Sequence, residues 1–502
     1  MATHHSTPPR GLETAPASVS YDGRFGRMFR NLPSFKPTRA DLQRLAEHML
    51  EPPEKDDGGE GPPAPPPAPP GEYPAPTPAP VSPPVDFDNP DIPAGYTYLG
   101  QFIDHDITFD PVSSLQRLND PDALHDFRTP SFDLDSLYGA GRNNAPYMFD
   151  FDHGADTDGS KLIVGHNANG ELDLPRNELG RAIIGDPRND ENIIVSQLQL
   201  LFLRFHNKVV DRLRSQFDDP SELFEEAQRV VRWHYQWIVV HDFLPRIVGQ
   251  DVVEDILHED PYAAAGGPVG RPEIHLRFYR WKVSPFMPVE FSVAAYRFGH
   301  SMIRPDYRIN RTVPNDIPIF KKGAGEFEDL RGFRPLPKDW TIEWDFFFEV
   351  GDGSTLQQAR LIDAKLAEPL KDLPGVPPPP ALALRNLERG VALGLPSGQR
   401  VARAMAVPEL PEGDLGLPEG TKSFQGHAPL WFYVLKEAEK RSDGRRLGPV
   451  GGRIVAEVLL GLLKGDPFSY INVEPRWTPS LSRANSRFTM PDLINFVDDR
   501  DG

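Results

Sequence analysis

Fifteen of the 35 residues from Glu51 to Val85 are proline, and no other stretch restricts the chain so severely. Proline fixes φ and lacks an N–H, so this segment can form neither a helix interior nor a central strand. It is expected to be an extended, solvated linker of residues 51–85, either a semi-rigid spacer or a contact site for an unknown protein. The small, polar residues 1–20 are expected to be disordered. Residues 21–50 read as an N-terminal arm with a short helix, opened by Thr38 or Asp41, whose Leu42, Leu45, Ala46 and Met49 form an apolar side.

Beyond Asp86 the periodicity is mainly helical. Ile193, Ile194, Leu198, Leu201, Phe202, Phe205, Val209, Val210 and Leu213 mark one broad face between Asn192 and Phe217. Helical patterns recur over Leu223–Val240 and Arg453–Leu463, and His275–Phe291 alternates enough for a short extended piece. No repeat and no alternation of strands with helices is visible. The expected fold class is mainly α: a single large helical domain over 86–490 with little β-structure, followed by a C-terminal tail over 491–502.

Charge and composition exclude several functions. Lys plus Arg number 54 and Asp plus Glu 73, so the formal net charge is 54 − 73 = −19. Such a surface repels phosphate backbones, and nucleic acid is not an expected partner. Basic positions such as Arg304, Arg308 and Arg311 remain available to a local site. With no cysteine, disulfides, thiolate catalysis, iron–sulfur clusters and Cys-ligated zinc are excluded. The N-terminus lacks the apolar stretch of a signal peptide, and no run reaches the roughly 18 apolar residues of a membrane span. A cytoplasmic location is expected, with leaderless export left open.

Four segments carry chemistry. In Gly100-Gln-Phe-Ile-Asp-His-Asp106, Gln101 and His105 share a helical face with Asp104 beside them; a satisfied core histidine is the bland alternative. In Gly185-Asp-Pro-Arg-Asn-Asp-Glu-Asn192, Arg188 and Glu191 are three apart, the spacing of any charged helix start as well as of a site. In Tyr296-Arg-Phe-Gly-His300 the histidine lies among apolar residues, and Arg297 needs an anion if buried. In Thr129-Pro-Ser-Phe-Asp-Leu-Asp-Ser-Leu-Tyr-Gly139, the alternating oxygens of Thr129, Ser131, Asp133 and Asp135 suit calcium better than zinc, unless they merely form Asx turns.

Taken together, these segments resemble the animal haem peroxidases of the peroxidase–cyclooxygenase superfamily, the group of lactoperoxidase and myeloperoxidase. Gln-x-x-Asp-His-Asp is specific for that family, and Arg-x-x-Glu, Arg-x-Gly-His and Asp-x-Asp-x-x-Tyr-Gly follow its order, from about Asn89 to Leu395. The resemblance implies haem b as cofactor, His300 as the proximal iron ligand and His105 as the distal base. It makes Arg188 the catalytic arginine, Gln101 the distal amide that positions water or halide, and Arg297 a propionate partner. Asp104 and Glu191 match the carboxylates that esterify haem methyl groups, so haem held by ester bonds is an option. Asn192 stands where myeloperoxidase has a vinyl-bonded methionine, which points away from halide oxidation at very high potential. Calcium is implied at Asp106, Thr129, Ser131, Asp133 and Asp135. The partner of the proximal histidine is an asparagine in the family, and Gln399 is the residue expected in that place.

The implied activity is reduction of hydrogen peroxide and oxidation of small donors, phenols, halide or thiocyanate, through a ferryl intermediate, with a role in the response to oxidative stress. The nearest rival is a fatty-acid dioxygenase of the same superfamily. Those enzymes need a tyrosine three residues before the proximal histidine, where Arg297 stands; Tyr296 would point about 100° away on a helix. A haem-binding protein without turnover would lack the distal base or arginine. A metal hydrolase centred on Asp104, His105 and Asp106 would need further ligands that His125, His166 and His206 do not offer. His206, His234 and His241 read as structural.

Overall fold

Thr38 accepts the amide of Asp41 and opens helix α1 (Arg39–His48), as its cap chemistry implies. The computed structural model describes residues 25–51, 87–108, 129–151, 158–258, 272–325, 327–376, 378–481 and 487–499. The expected disorder of 1–20 and nearly all of the proline-rich linker therefore lie outside the described residues.

Helix α2 (Gly95–Ile107) carries the first motif. The long apolar face becomes α3 (Ile193–Leu213), capped by Asn192, whose side chain accepts the Val195 amide. Helix α4 (Pro220–Ile238) packs along α3, and α3 in turn lies on α2. Helix α5 (Leu382–Ala392) covers α1, while α6 (Leu430–Ser442) and α7 (Pro449–Gly465) pair with each other and touch the 3-10 turn Ala295–His300. Strands among the described residues occur as five two-stranded pairs. One pair sets Phe25–Gly26 parallel to Met287–Pro288. The fold is mainly α with little β-structure, and one hydrophobic core runs from Phe25 to Val497.

The boundaries differ from expectation at both ends. Phe25, Phe29, Leu45 and Met49 belong to the same core as the rest, so the arm is part of the body. The tail expected from 491 contains helix α8 (Met490–Val497), whose Met490, Leu493, Ile494 and Val497 are buried. Its capping box joins Thr489 N to Asp492 Oδ2 at 2.8 Å. Its first amide, Met490 N, donates to buried Asp242 at 2.9 Å, which also accepts from Tyr96 OH at 2.8 Å. The final helix is thereby tied to α2.

Buried glutamates pin distant segments in the same way. Glu290 accepts the Met28 and Phe29 amides, Glu457 those of Phe278 and Tyr279, and Glu437 that of Val450 at 2.8 Å. Burial pushes the Glu437 carboxyl up to about 7. Its charged form is thus disfavoured in the fold, a penalty absent below the ordinary carboxylate range and complete above about pH 7. Glu437→Gln should therefore gain about 2–4 kcal/mol on wild type at pH 8.5 and under about 1 kcal/mol at pH 5. Urea unfolding at both pH values checks this, and equal differences at the two would refute it.

Candidate haem site

Gln101, Asp104 and His105 emerge from one face of α2 into a cavity of about 750 Å³. Arg297 and His300, from the 3-10 turn Ala295–His300, line the same cavity. Glu191 and Asn192 complete the wall next to α2, where Gln101 donates to the Glu191 carboxylate and Asn192 Nδ2 donates to Gln101 Oε1 at 3.1 Å. Burial raises the Glu191 carboxyl to about 7 against the opposing pull of the Arg188 cation.

His105 is the end of a polar chain that the sequence did not reveal. Gln199 Nε2 donates to the Ser136 carbonyl at 3.0 Å, Asn189 Nδ2 donates to Gln199 Oε1 at 2.7 Å, and Asn189 Oδ1 lies 2.7 Å from His105 Nδ1. A carbonyl can only accept, so the chain has one consistent direction: His105 Nδ1 carries the proton and Nε2 is left as the base. Burial, followed by the Arg188 cation, lowers the imidazole to about 4, so it is neutral at physiological pH. Asn189→Leu should lower kcat/KM for peroxide about 10- to 100-fold with haem content unchanged; an unaltered rate would show that the chain has no part in tautomer control.

Arg188 does not line the cavity, contrary to its expected place beside the reacting atoms. Its Nη2 donates to the carbonyls of His105 at 2.9 Å and Thr108 at 2.7 Å, and it pairs with Asp186 at 2.8 Å. The last carbonyls of α2 have no intrahelical donors, and this guanidinium supplies them. Arg188 therefore holds His105 from behind.

His300 lines the same cavity, and its Nδ1 lies 2.8 Å from Nδ2 of Asn386, on α5. An amide nitrogen only donates, so in this arrangement Nδ1 accepts and Nε2 carries the proton; Nε2 becomes a ligand nitrogen once that proton leaves or the Asn386 amide turns its oxygen to Nδ1. Burial, then the nearby Arg297 cation, lowers His300 to about 3, whereas the Asp104 carboxylate pulls the other way. The expected partner, Gln399, is elsewhere. Its amide donates to Gly426 O at 3.0 Å and accepts from Ala428 N at 2.9 Å, closing a loop against α6. The signal available in the sequence was Asn386 one helical turn before Arg389 on an amphipathic helix. Tyr296 also departs from expectation, because in the tight 3-10 turn both it and Arg297 reach the cavity.

Several features of the cavity call for an occupant. Thr97 Oγ1 and Tyr296 OH are buried on its wall without a hydrogen-bond partner. Arg297 donates through Nε to Ser292 O at 2.8 Å, and no carboxylate among the described residues pairs with it. A buried and a half-buried neutral imidazole, an arginine awaiting an anion and an apolar lining including Phe298, Met302 and Ile303 fit haem.

The residues expected to bind calcium are brought together. Thr129 Oγ1 donates to Asp135 Oδ2 at 3.2 Å, Ser131 Oγ donates to Asp133 Oδ2 at 2.9 Å, and Asp106 Oδ2 accepts Leu134 N at 3.3 Å. Burial, then the charges of Asp135 and Asp106, push the Asp133 carboxyl well above its usual range. Among the described residues, however, no three His, Cys, Asp or Glu side chains are arranged to hold a metal ion. His206 and His234 are structural as expected, bonded to Ser160 O at 2.9 Å and Val230 O at 2.6 Å, and His241 stacks on Trp237. No helix among the described residues is long and apolar enough to cross a membrane.

The fold, and a cavity lined by both His105 and His300, are consistent with the peroxidase–cyclooxygenase resemblance of the sequence. Residues 116–322 match the family model described as animal haem peroxidase. Peroxidasin of Drosophila melanogaster is 24% identical over 340 residues, covering 62% of this chain and 20% of its own length. Thyroid peroxidase of Mus musculus is 25% identical over 334 residues, 62% of this chain and 33% of the relative. The chain thus spans a third or less of these curated relatives. Peroxidase A from Dictyostelium discoideum has the same fold, with a TM-score of 0.58 at 16% identity over 94% of this chain and 95% of the other. A fatty acid alpha-dioxygenase from Oryza sativa reaches 0.57 at 16% identity, covering 83% and 74%.

Proposed function

We propose that the protein is a haem peroxidase that reduces hydrogen peroxide and oxidises small donors. The observation that carries this reading is the single cavity shared by His105, with its proton fixed on Nδ1, and His300, with its Nδ1 turned to Asn386. Haem bound there would supply the two-electron reduction of peroxide and return the oxidising equivalents to donors. His300 would hold it through Nε2, Arg297 would meet a propionate, and Asp104 and Glu191 would be placed for ester links. His105 Nε2 takes the proton from one peroxide oxygen and delivers it to the other, which leaves as water. Gln101 positions water or a small anion beside it, and Arg188 fixes the end of α2 on which His105 sits. One peroxide and two phenols then give two waters and two phenoxyl radicals. The test is peroxide-dependent oxidation of a simple phenol by the haem-loaded chain; no oxidation above free haemin would end this reading.

Calcium is proposed for the Asp106, Asp133 and Asp135 cluster on donor chemistry, because one buried carboxylate and two half-buried ones this close need a cation or a proton. Prolonged chelation should lower the unfolding temperature, and calcium, not magnesium, should restore it; an unchanged temperature would remove calcium from the account. One observation favours a second reading, a fatty-acid dioxygenase: the unpartnered Tyr296 hydroxyl on the cavity wall. Oxygen uptake with linoleate, without peroxide, would select it.

A further inference from the structure

The turn that carries Asn189 is held by a residue no motif assigned. Pro187–Asp190 forms a 3-10 turn, an element whose own hydrogen bonds are few and poorly aligned. Its side chains therefore keep one direction only with outside support. At its start Asp186 accepts Arg188 N at 2.9 Å. At its end Asp190 meets Arg176, whose Nη1 lies 2.7 Å from Oδ2 and whose Nη2 lies 2.8 Å from Oδ1, a two-pronged ion pair. Arg176 directs its other donors to Asp173, through Nε at 2.9 Å and Nη2 at 3.3 Å, and to Gly180 O at 3.0 Å. All five N–H groups of the guanidinium thus have an acceptor, and its side chain is only 8% exposed. A tight loop presents it: Arg176 pairs with Ala182, and Asn177 N donates to Arg181 O at 3.0 Å.

The two carboxylates joined by Arg176 serve different parts of the cavity. Asp190 stands between Asn189, which sets the proton of His105, and Glu191, which lines the cavity. Asp173 instead holds a later segment, since its Oδ2 accepts Leu336 N at 2.9 Å. Burial pushes the Asp190 carboxyl up against the pull of Arg176. A buried carboxylate stripped of its partner is strongly disfavoured, so without this guanidinium Asp190 has to turn away or take up a proton. Either change releases the end of the turn.

We propose that Arg176 is a positioning residue for His105: through Asp190 it fixes the turn that aims Asn189 Oδ1 at His105 Nδ1. Arginine suits this role better than lysine, because a planar fork faces two carboxylates at once, whereas an ammonium holds neither in a plane. Arg188 grips the end of α2, so one arginine locates the imidazole and the other locates its proton. The effect on turnover rests on the peroxidase reading; the effect on the proton does not.

The experiment is nitrogen NMR of the full chain, isotopically labelled at histidine and without added haemin, with His105→Gln identifying the His105 signals. The shifts of the two ring nitrogens show which of them carries the proton. Wild type should hold it on Nδ1 in about nine molecules of ten, and Arg176→Lys and Asp190→Asn should each lower that share to about half. Asp173→Asn removes another partner of Arg176 without touching the turn; it should lower the unfolding temperature and leave the proton on Nδ1. An unchanged share in either of the first two variants would overturn the proposal. So would an equal drop in Asp173→Asn, which would mark Arg176 as a purely structural residue. Should Arg176→Lys fail to fold, Asp190→Asn decides, because it keeps the shape of the side chain and every other bond of Arg176. In the haem-loaded chain Arg176→Lys should lower kcat/KM for peroxide about tenfold, with no further loss once Asn189→Leu is present; additive losses would show that Arg176 acts by another route. If wild type turns over no peroxide, the peroxidase reading fails, while the proton in the haem-free chain still decides this one.

Discussion

Replacing His105 with alanine is expected to slow peroxide-driven turnover by about a hundred- to ten-thousand-fold and to leave haem content near that of wild type. The size of the effect follows from what the imidazole does. Asn189 fixes the proton on Nδ1, and burial with Arg188 behind it keeps the ring neutral, at about 4. Nε2 is then a ready acceptor for the peroxide proton throughout the neutral range. Alanine removes the acceptor and changes nothing that holds the cofactor. Stopped-flow mixing of the haem-loaded variant with peroxide measures it. A rate within threefold of wild type would show that the proton goes elsewhere, and a large loss of haem would show that His105 is a ligand instead.

The second large effect concerns retention. His300→Ala should strip most haem from the chain during gel filtration, because Arg297 alone offers one ionic contact in place of an iron–nitrogen bond. Ester links through Asp104 and Glu191 would retain haem in that variant, and extraction with acidified acetone separates the cases. Released haem means that His300 was the anchor; haem that stays with the protein and shows an altered spectrum means ligation lost and esters present. An unchanged spectrum would overturn the assignment of His300.

Where a site residue was legible in the sequence, its partners were local. Gln101, Asp104 and His105 lie within two turns of one helix, so spacing alone places them on one side. His300 was readable through Arg297 three residues away. Partners from distant segments were not. Asn386 is 86 residues from His300, and the relay from His105 through Asn189 and Gln199 to Ser136 uses amides, which follow no periodicity. Gln399 was expected beside His300 on position relative to Arg389 and Gly390, but helix α5 presents Asn386 to that histidine first. Arg188 was assigned to the cavity because the motif gives a residue and not a rotamer; the bare carbonyls at the end of α2 and the Asp186 carboxylate decide its direction.

The long helix α3 was visible because a broad apolar stripe survives any tertiary context. Helix α8 was missed although Met490, Leu493, Ile494 and Val497 follow helical spacing after Thr489. It is barely two turns long and ends among aspartates, so its propensity is weak, and burial against α3 stabilises it. The proline-rich segment told where a fold could not be, which is a different kind of information from where its parts meet.

Crystallising the full chain with haemin tests the central claim most directly. The account predicts one haem in the cavity, its iron bonded to His300 Nε2 and His105 on the opposite face. Haem seated outside this cavity, or an iron bonded to any other side chain, would contradict it.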